Sequence, residues 1–542
     1  MRALLLPFTP RFVALTASGA ATCALAGWVL AAPHAGAWRL GLLCVCAALA
    51  GAGLTDLFSR RHAILRNYPI LAHLRFLFEA VRPEMRQYFF EDEKNGRPFS
   101  RDDRALVYQR AKMVLDKRPF GTQLEVYEEG FEWLNHSIVA GRPATAPFRT
   151  IIGGPDCAQP YNASVYNISA MSFGALSRNA ILALNNGARM GNFAHDTGEG
   201  GLSQYHLQGG GDVIWEIGSG YFGARTPQGA FSPERFAETA HTGQVRMVEL
   251  KLSQGAKPGH GGVLPAAKVS AEIAATRGVA RGEDCISPPH HSAFSTPIEM
   301  MLFIQRLREL SGGKPAGFKL CVGHEWEFLA ICKAMLETGI YPDFIVVDGA
   351  EGGTGAAPLE FMDHIGKPLR DGLSFVHQAL RGIGARERIR IGASGKITSA
   401  FDMARAFALG ADWCNSARGF MFALGCIQSL SCHTDRCPTG VATQDPVRAR
   451  ALVVPDKATR VHQFHAATLH ALAELIAAAG LDHPDGLNCA HIQRRVSARN
   501  VRSYADLYPQ LEHGALVAGS DDPRFAAAWR MADANSFAPR AA

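Results

Sequence analysis

The stretch Phe344-Ile-Val-Val-Asp348-Gly-Ala-Glu-Gly352-Gly-Thr-Gly355 carries the pattern that decides the fold: a short apolar run, an acid, then a cluster of glycines. A continuous apolar run bounded by glycine reads as a strand buried on both faces, as in a parallel sheet. Working outward, the pattern recurs. Downstream lie Ile389–Ala393, ending in Ser394-Gly395-Lys396, and Asp412–Ser416, ending in Arg418-Gly419. Upstream lie Gly317–Val322, with Lys319 inside it, and Cys285–Ser287 before Pro288-Pro289-His290-His291. Further upstream are Arg246–Leu252 before Gln254–Gly259, Asn192–His195 before Thr197–Gly201, and Asn167–Met171 before Ser172-Phe173-Gly174. Helical patterns follow several of these runs, near Ser177–Met190 and over Ile298–Leu310, Glu327–Thr338 and Ser399–Leu409. Eight strand-then-helix units predict an α/β fold, a (β/α)8 TIM barrel. In that fold the chemistry sits on the loops that follow the strands. Here those loops hold most of the glycine clusters and unusual polar residues.

The whole chain has 542 residues, 47% apolar and 19% charged, with 55 Gly. These proportions exclude a disordered chain, a coiled coil and a collagen-like repeat. The net charge of +6 is concentrated at the start, where the first 66 residues hold six Arg, one Asp and no Lys or Glu. The remainder is close to neutral and offers no basic face, which argues against a nucleic-acid partner. The 12 Cys are scattered except for three late in the chain, a pattern that suits metal or redox use better than a secreted disulfide framework.

Phe12–Ala32 is an uncharged run of 21 residues, long enough as a helix to cross a hydrocarbon core of about 30 Å. Leu40–Thr55 is a second uncharged run, which Phe58 and snorkelling Arg60 and Arg61 extend. The loop Pro33–Arg39 between them suits a hairpin. Arg2 and Arg11 before the pair and Arg60, Arg61 and Arg66 after it outnumber Arg39 in the loop, which places both ends in the cytoplasm. The expected location is therefore the cytoplasmic (inner) membrane, multi-pass, with the catalytic domain facing the cytoplasm. The competing reading is a signal peptide cut near Ala32–Pro33. Leu74–Phe90 has the spacing of an amphipathic helix near the membrane, with Pro83 expected to kink or split it. The domain boundaries expected are 1–58 for two transmembrane helices, 59–149 for a mixed connecting region, 150–450 for the barrel with its cysteine loop, and 451–542 for a C-terminal helical extension.

Several residues suggest chemistry. Barrels commonly bind phosphate on the loops after strands seven and eight, where Gly392–Lys396 and Arg418-Gly419 fall; Gly395 admits close approach of backbone N–H groups, and Lys396 and Arg418 add charge. Lys319, inside an apolar strand, needs an anionic partner. A reduced flavin ring fits that need, and so does a carboxylate of Asp348 or Glu199. Cys426-x5-Cys432-x4-Cys437-Pro438 resembles an iron–sulfur ligand run, with three thiolates suiting a cluster that lacks one iron. Zinc is the rival, with His433 as a fourth ligand. His290-His291 after two prolines reads as loop-shaping.

Taken together, the motifs resemble the synthase domain of glutamate synthase. They are Ser169-Ala-Met-Ser-Phe-Gly-Ala-Leu-Ser177, Thr197-Gly-Glu-Gly-Gly201, Lys251-Leu-Ser-Gln-Gly-Ala-Lys-Pro-Gly259, Ile286-Ser-Pro-Pro-His-His291, Gly352-Gly-Thr-Gly-Ala356 and Cys426 through Cys437 to Gln444, in that family's order. With its apolar start, the chain is similar to the short, membrane-anchored FMN-binding glutamate synthase-like proteins of bacteria. The resemblance implies an oxidoreductase acting on CH–NH2 donors, with FMN in the barrel and a [3Fe–4S] cluster beside it. It implies reductive amination of 2-oxoglutarate with ammonia. It places Met171, Ser172 and Gln254 at the flavin ring, Lys319 near its N1 and O2, and Gly353 among the cofactor contacts. Gly395, Lys396 and Arg418 fall at the phosphate, and Lys257, Glu199 and Arg277 face the 2-oxo acid as the catalytic set. Cys426, Cys432 and Cys437 ligate the cluster.

Three departures from the family pattern matter. His260-Gly-Gly-Val263-Leu-Pro265 replaces Glu-Gly-Gly-Gln-Leu-Pro, so a polar substrate contact is absent. Ala393-Ser394-Gly395 replaces Asp-Gly-Gly. No amidotransferase domain is present, so a separate partner would have to supply ammonia, or another amine serves. No G-x-G-x-x-G fingerprint follows a strand, which points to a ferredoxin-like electron donor. The alternative function is a membrane-bound flavin and iron–sulfur dehydrogenase passing electrons to quinone.

Overall fold

Phe344–Asp348, the run that opened the reading, is the sixth strand of a closed parallel barrel in the computed structural model, which describes residues 6–32, 36–59 and 62–541. In chain order the barrel strands are β1 (Tyr166–Ile168), β2 (His195–Asp196), β3 (Val213–Ile217), β4 (Val245–Lys251), β5 (Ala316–Leu320), β6 (Phe344–Asp348), β7 (Arg390–Ser394) and β8 (Trp413–Ser416). Each pairs with its sequence neighbour, and β8 pairs with β1, Asn415 opposite Asn167, to close the ring. Every residue of β3, β5 and β6 is buried, because one face fills the barrel interior and the other meets helices.

The barrel corrects the sequence reading at one strand. Cys285–Ser287, expected as the fourth strand, is not in the barrel: Cys285–Ile286 pairs antiparallel with Val263–Leu264 in a ribbon over the mouth. Its place in the count of eight is taken by β3, Val-Ile-Trp-Glu-Ile, whose Glu216 interrupts the apolar run. Lys257 therefore follows the fourth barrel strand, not the third.

A hairpin of Arg149–Ile152 and Tyr161–Ser164 precedes β1 and packs Ile152, Tyr161 and Ala163 against Ile214, Met247, Phe344, Val346 and Trp413. Nearby, the carboxylate of Asp343, just before β6, accepts from Gly154 N–H (2.7 Å), Ala316 N–H (2.8 Å) and Arg308 (2.9 Å). This apolar plug leaves the opposite end of the barrel for the site.

On the outside, α4 (Arg178–Gly191) starts at Ser177, whose hydroxyl accepts from Ala180 N–H. It packs against the 25-residue helix α6 (Val454–Ala478). A Cβ on Gly187 would lie 2.5 Å from Val461, so glycine permits the close crossing. The C-terminal segment is not helical throughout: Ile492–Ser497 pairs with Asn500–Ser503 and with Glu132–Leu134. Glu132 is gripped there by Arg370, Arg405 (2.8 Å) and Arg494 (3.3 Å) and by the Tyr504 hydroxyl (2.9 Å).

Residues Met1–Asp102 form a unit of their own. Its helices α1 (Val13–Ala31) and α2 (Ala37–Leu57) have 19 and 21 residues, are apolar enough to cross a membrane, and pack together as a hairpin. Trp28 and Trp38 meet edge-on near the bend, with Arg39 over the Trp28 ring. Arg2, Arg60, Arg61 and residues 33–35 of the expected loop lie outside the described residues. Helix α3 (Leu71–Met85) runs through Pro83 unbroken and passes into a π-helical turn, Arg86–Phe90.

Candidate active site

The loops that follow β1, β2, β4, β6 and β8 converge on a cavity lined by Met171, Ser172, Glu199, Gln254, Lys257, Arg277, Gly353 and Arg418. Glycine makes the convergence possible. A Cβ on Gly255 would lie 1.9 Å from the Gly349 carbonyl, so the β4 and β6 loops touch only because none is there. Gly255 N–H donates to Asp348 (2.8 Å) and Ala256 N–H to the Ala350 carbonyl (3.0 Å), with Ala256 at φ 65°. That lock sets Gln254 and Lys257 on the cavity wall. Gly198 does the same between the β1 and β2 loops: at φ 63°, a side chain there would press on the Ser172 amide.

The cavity is rich in cations. Burial alone would raise the Glu199 carboxyl, but Lys251 at 3.0 Å, with Lys257 and Arg277 beyond, more than reverses this and holds it at about 2. Glu199 is thus an anion at any working pH. Lys257 is 5% exposed and donates to the Ala356 carbonyl, at 3.3 Å. Burial pulls its pKa down, against the pull of Glu199. Arg277, 4% exposed, donates to Ser172 Oγ and the Phe173 carbonyl (both 3.3 Å) and lies over the Phe222 ring, while its Nε has no partner. Among the described residues neither Lys257 nor Arg277 has a carboxylate within ion-pair distance. His291 is structural: it bonds the Lys251 carbonyl (2.8 Å) and the Tyr221 hydroxyl (3.1 Å), and burial holds it neutral with a pKa near 4.

Lys319 lies beneath this cavity and is not among its lining residues. Its ammonium bonds Glu216, meets Glu249 at 3.0 Å and reaches Asp196 at 4.0 Å. The partners are thus neither of the two carboxylates expected from sequence. All four groups are almost fully buried. Three acids around one cation cannot all ionise cheaply. Burial raises Glu249 to about 7 and drives Asp196 well above the carboxylate range, with the neighbouring acids adding to the effect and Lys319 opposing it. Glu216 also lines the cavity and so links this cluster to it.

At the far end, Arg418 donates to the Thr354 carbonyl at 2.7 Å, and a Cβ on Gly353 would lie 2.8 Å from its guanidinium. Gly395 and Lys396 follow β7 but are not among the lining residues, and Lys396 is exposed at φ 52°. The cysteine loop follows α5 (Arg418–Leu424), and Cys432 and His433 reach the cavity wall. The loop is fastened to the β1 exit loop. Ser177 donates its hydroxyl to the Gly440 carbonyl (2.7 Å) and its N–H to the Val441 carbonyl (2.9 Å), and Gln444 donates to the Gly174 and Leu176 carbonyls. Tyr108 donates to the Cys426 carbonyl at 2.6 Å.

Sequence reasoning missed Lys251 as the partner of Glu199, the acids Glu216, Glu249 and Asp196, and Lys268. The argument that singled out Lys319, a charge inside an apolar strand, applies equally to Glu216, Glu249 and Lys251.

Fold and site define a (β/α)8-barrel enzyme with a glycine-lined, cation-rich mouth and a cysteine loop against it. Residues 158–482 match the conserved region in glutamate synthase. A glutamate synthase large subunit-like protein, YerD, of Bacillus subtilis is 36% identical over 84% of this chain and 94% of its own length. An archaeal glutamate synthase [NADPH] of Methanocaldococcus jannaschii is 37% identical over 59% of this chain, and the match spans 60% of that protein. A mandelate oxidase structure aligns at a TM-score of 0.38 and 14% identity, over 74% of this chain and 98% of that one, a likeness too loose to speak to function. The chain belongs to the glutamate synthase family and is an oxidoreductase of that class.

Proposed function

We propose that the barrel mouth binds FMN, that Cys426, Cys432 and Cys437 hold a [3Fe–4S] cluster, and that the chain reductively aminates 2-oxoglutarate or a related 2-oxo acid with ammonia or an amine. One observation carries the reading: Lys257 and Arg277 are buried cations that open on the cavity, and among the described residues no carboxylate is within ion-pair distance of either. Buried cations require anions, and a 2-oxo acid supplies one.

The residues present suit both groups. For FMN, Gly198, Gly353 and Gly355 line the cavity without side chains, and the Arg277 Nε, with no partner among the described residues, is a donor beside it. For the cluster, the donor set is three soft thiols. Burial would raise the Cys437 thiol, but the Thr439 hydroxyl and the backbone N–H groups of Ala442, Thr439 and Val441 outweigh it and favour thiolate, whereas burial pushes the Cys426 thiol up to about 11. Bound and reduced, FMN supplies a hydride. The Met171-Ser172 backbone and Gln254 would hold the ring, and Gly353, Gly395, Lys396 and Arg418 the phosphate end; Lys319 acts on the ring through Glu216. Lys257 and Arg277 bind and orient the 2-oxo acid by charge-assisted hydrogen bonds. Glu199 is too acidic to serve as an efficient base near neutrality, so it holds ammonium by charge, competing with Lys251. Electrons come from a ferredoxin-like donor, and ammonia from solution or a separate partner.

The unit Met1–Asp102 suits a cytoplasmic-membrane anchor. Asp56, at the end of α2, accepts from Ile70 N–H and bonds His73 (both 2.9 Å), which pins the start of α3 where the hairpin would meet the headgroups. Leu74, Phe78, Val81 and Met85 are exposed on one stripe of α3, with Arg75 and Arg82 to the side, as suits a helix lying in the interface. One observation favours the second reading, electron transfer to quinone: Val263, Leu264 and Pro265 make one cavity wall apolar.

The test is product identification. Chemically reduced, purified full chain is incubated anaerobically with 15N-ammonium and a panel of 2-oxo acids. The proposal expects one labelled amino acid, formed stoichiometrically with flavin oxidation. Turnover with a quinone and no labelled product would favour the second reading.

A further inference from the structure

Lys268 stands in the wall between the cavity and the cysteine loop, in a 3-10 turn, Ala266–Lys268, and is 3% exposed. Its ammonium donates to the Ala175 carbonyl at 3.2 Å, in the loop after β1, and to the Ala442 carbonyl at 3.0 Å, just past Cys437. Two carbonyls satisfy hydrogen bonds but do not neutralise the charge. Among the described residues no carboxylate lies within ion-pair distance of it. Burial lowers its pKa, and the acidic groups that pull the other way are Asp435 first, then Cys432 and Cys437. The Asp435 carboxylate is already engaged, accepting from Gln444 N–H (2.6 Å) and the Thr443 hydroxyl (3.3 Å). Those donors are neutral, so Asp435 keeps its charge and the ammonium faces it together with the Cys432 and Cys437 thiols, and a buried ammonium is retained where an anion faces it.

We infer that Lys268 is a positioning residue that supplies the counter-charge for the cluster on Cys426, Cys432 and Cys437 and raises its reduction potential. The inference rests on the cluster reading above. One-electron reduction, by a ferredoxin-like donor in the cell or dithionite in the cuvette, adds one negative charge to the cluster and changes no bond. A fixed cation beside the cluster stabilises the reduced form more than the oxidised one. Cys432, Ala442 and Lys268 all line the cavity, so the same charge would lie between the residues that would hold the cluster and those that would hold the flavin.

The test compares Lys268→Gln, which retains a donor for the two carbonyls without the charge, with Lys268→Arg, which retains the charge. Full-length, anaerobically purified proteins are assayed for iron and titrated redox-potentiometrically by electron paramagnetic resonance. The expected result is a lower cluster potential in the Gln variant and a potential near the parent's in the Arg variant. Loss of iron from the Gln variant alone would equally show that the charge is required. An unchanged potential in the Gln variant, or equal loss of iron from both, would overturn the inference. A parent protein without iron would overturn the cluster reading instead.

Discussion

Replacing Lys257 by Met removes a charge from the cavity wall while keeping most of the side chain's bulk. The parent Lys makes a long hydrogen bond, to the Ala356 carbonyl, and is depressed by burial. Folding therefore loses little, since Met has no charge to desolvate. Binding loses more: a charge-assisted hydrogen bond contributes about 1.5–3 kcal/mol, which is roughly a ten- to hundredfold loss of affinity for the carboxylate. With Val263 offering no polar contact, Arg277 remains to bear the load. The assay is anaerobic stopped-flow oxidation of the reduced flavin at increasing 2-oxo acid. The variant should keep its flavin spectrum and iron, and half-saturation should move up by that factor. A variant that loses flavin would make Lys257 a cofactor ligand. One that saturates like the parent would put the substrate elsewhere and refute the reasoning.

Four other outcomes follow from the buried charges and the thiols. Lys319→Met strands Glu216, Glu249 and Asp196 without their cation and should cost about 3–5 kcal/mol, read from denaturant midpoints; adding Glu216→Gln should restore part of it. Glu249, raised to about 7 by burial, binds its proton more tightly folded than unfolded, so its contribution to stability falls as pH rises from about 4.5 through 7; Glu249→Gln should flatten that slope. The Glu199 contribution has the opposite sign, present above about 4.5 and lost as pH falls towards 2. Cys432→Ser should remove the iron and leave barrel circular dichroism unchanged, and stoichiometric zinc in the anaerobically prepared parent would sink the cluster assignment.

The barrel was legible because buried parallel strands are short apolar runs ended by glycine, and seven of the eight runs found lie in it. The exception has a physical cause. Only a five-residue helix, Gln204–Gln208, lies between β2 and Val213–Ile217, so the strand-then-helix rhythm is weakest there, and Glu216 interrupts the short apolar run. Cys285–Ile286 imitates that signature because the ribbon it forms with Val263–Leu264 is itself partly buried over the mouth. Lys257, Glu199, Gln254 and Arg418 were legible as residues of strand-exit loops, which the fold gathers at one end, whereas Arg277, at the end of the helix Ala271–Arg277, came from the family resemblance alone. The partners of Lys319 were not, since they come from β2, β3 and β4, and which inward residues share a layer depends on barrel stagger that sequence does not display. Lys268 was hidden for a similar reason: its role comes from two carbonyls and two thiols remote from it in the chain.

The most direct measurement of the central claim is anaerobic oxidation of the reduced, purified full chain, followed by flavin absorbance, with ammonium plus 2-oxoglutarate or another 2-oxo acid in one arm and a quinone in the other. The account predicts rapid flavin oxidation that requires the amine and the 2-oxo acid together and whose half-saturation by the 2-oxo acid rises in Lys257→Met. Oxidation by quinone alone, with no response to any pair of amine and 2-oxo acid, would contradict it.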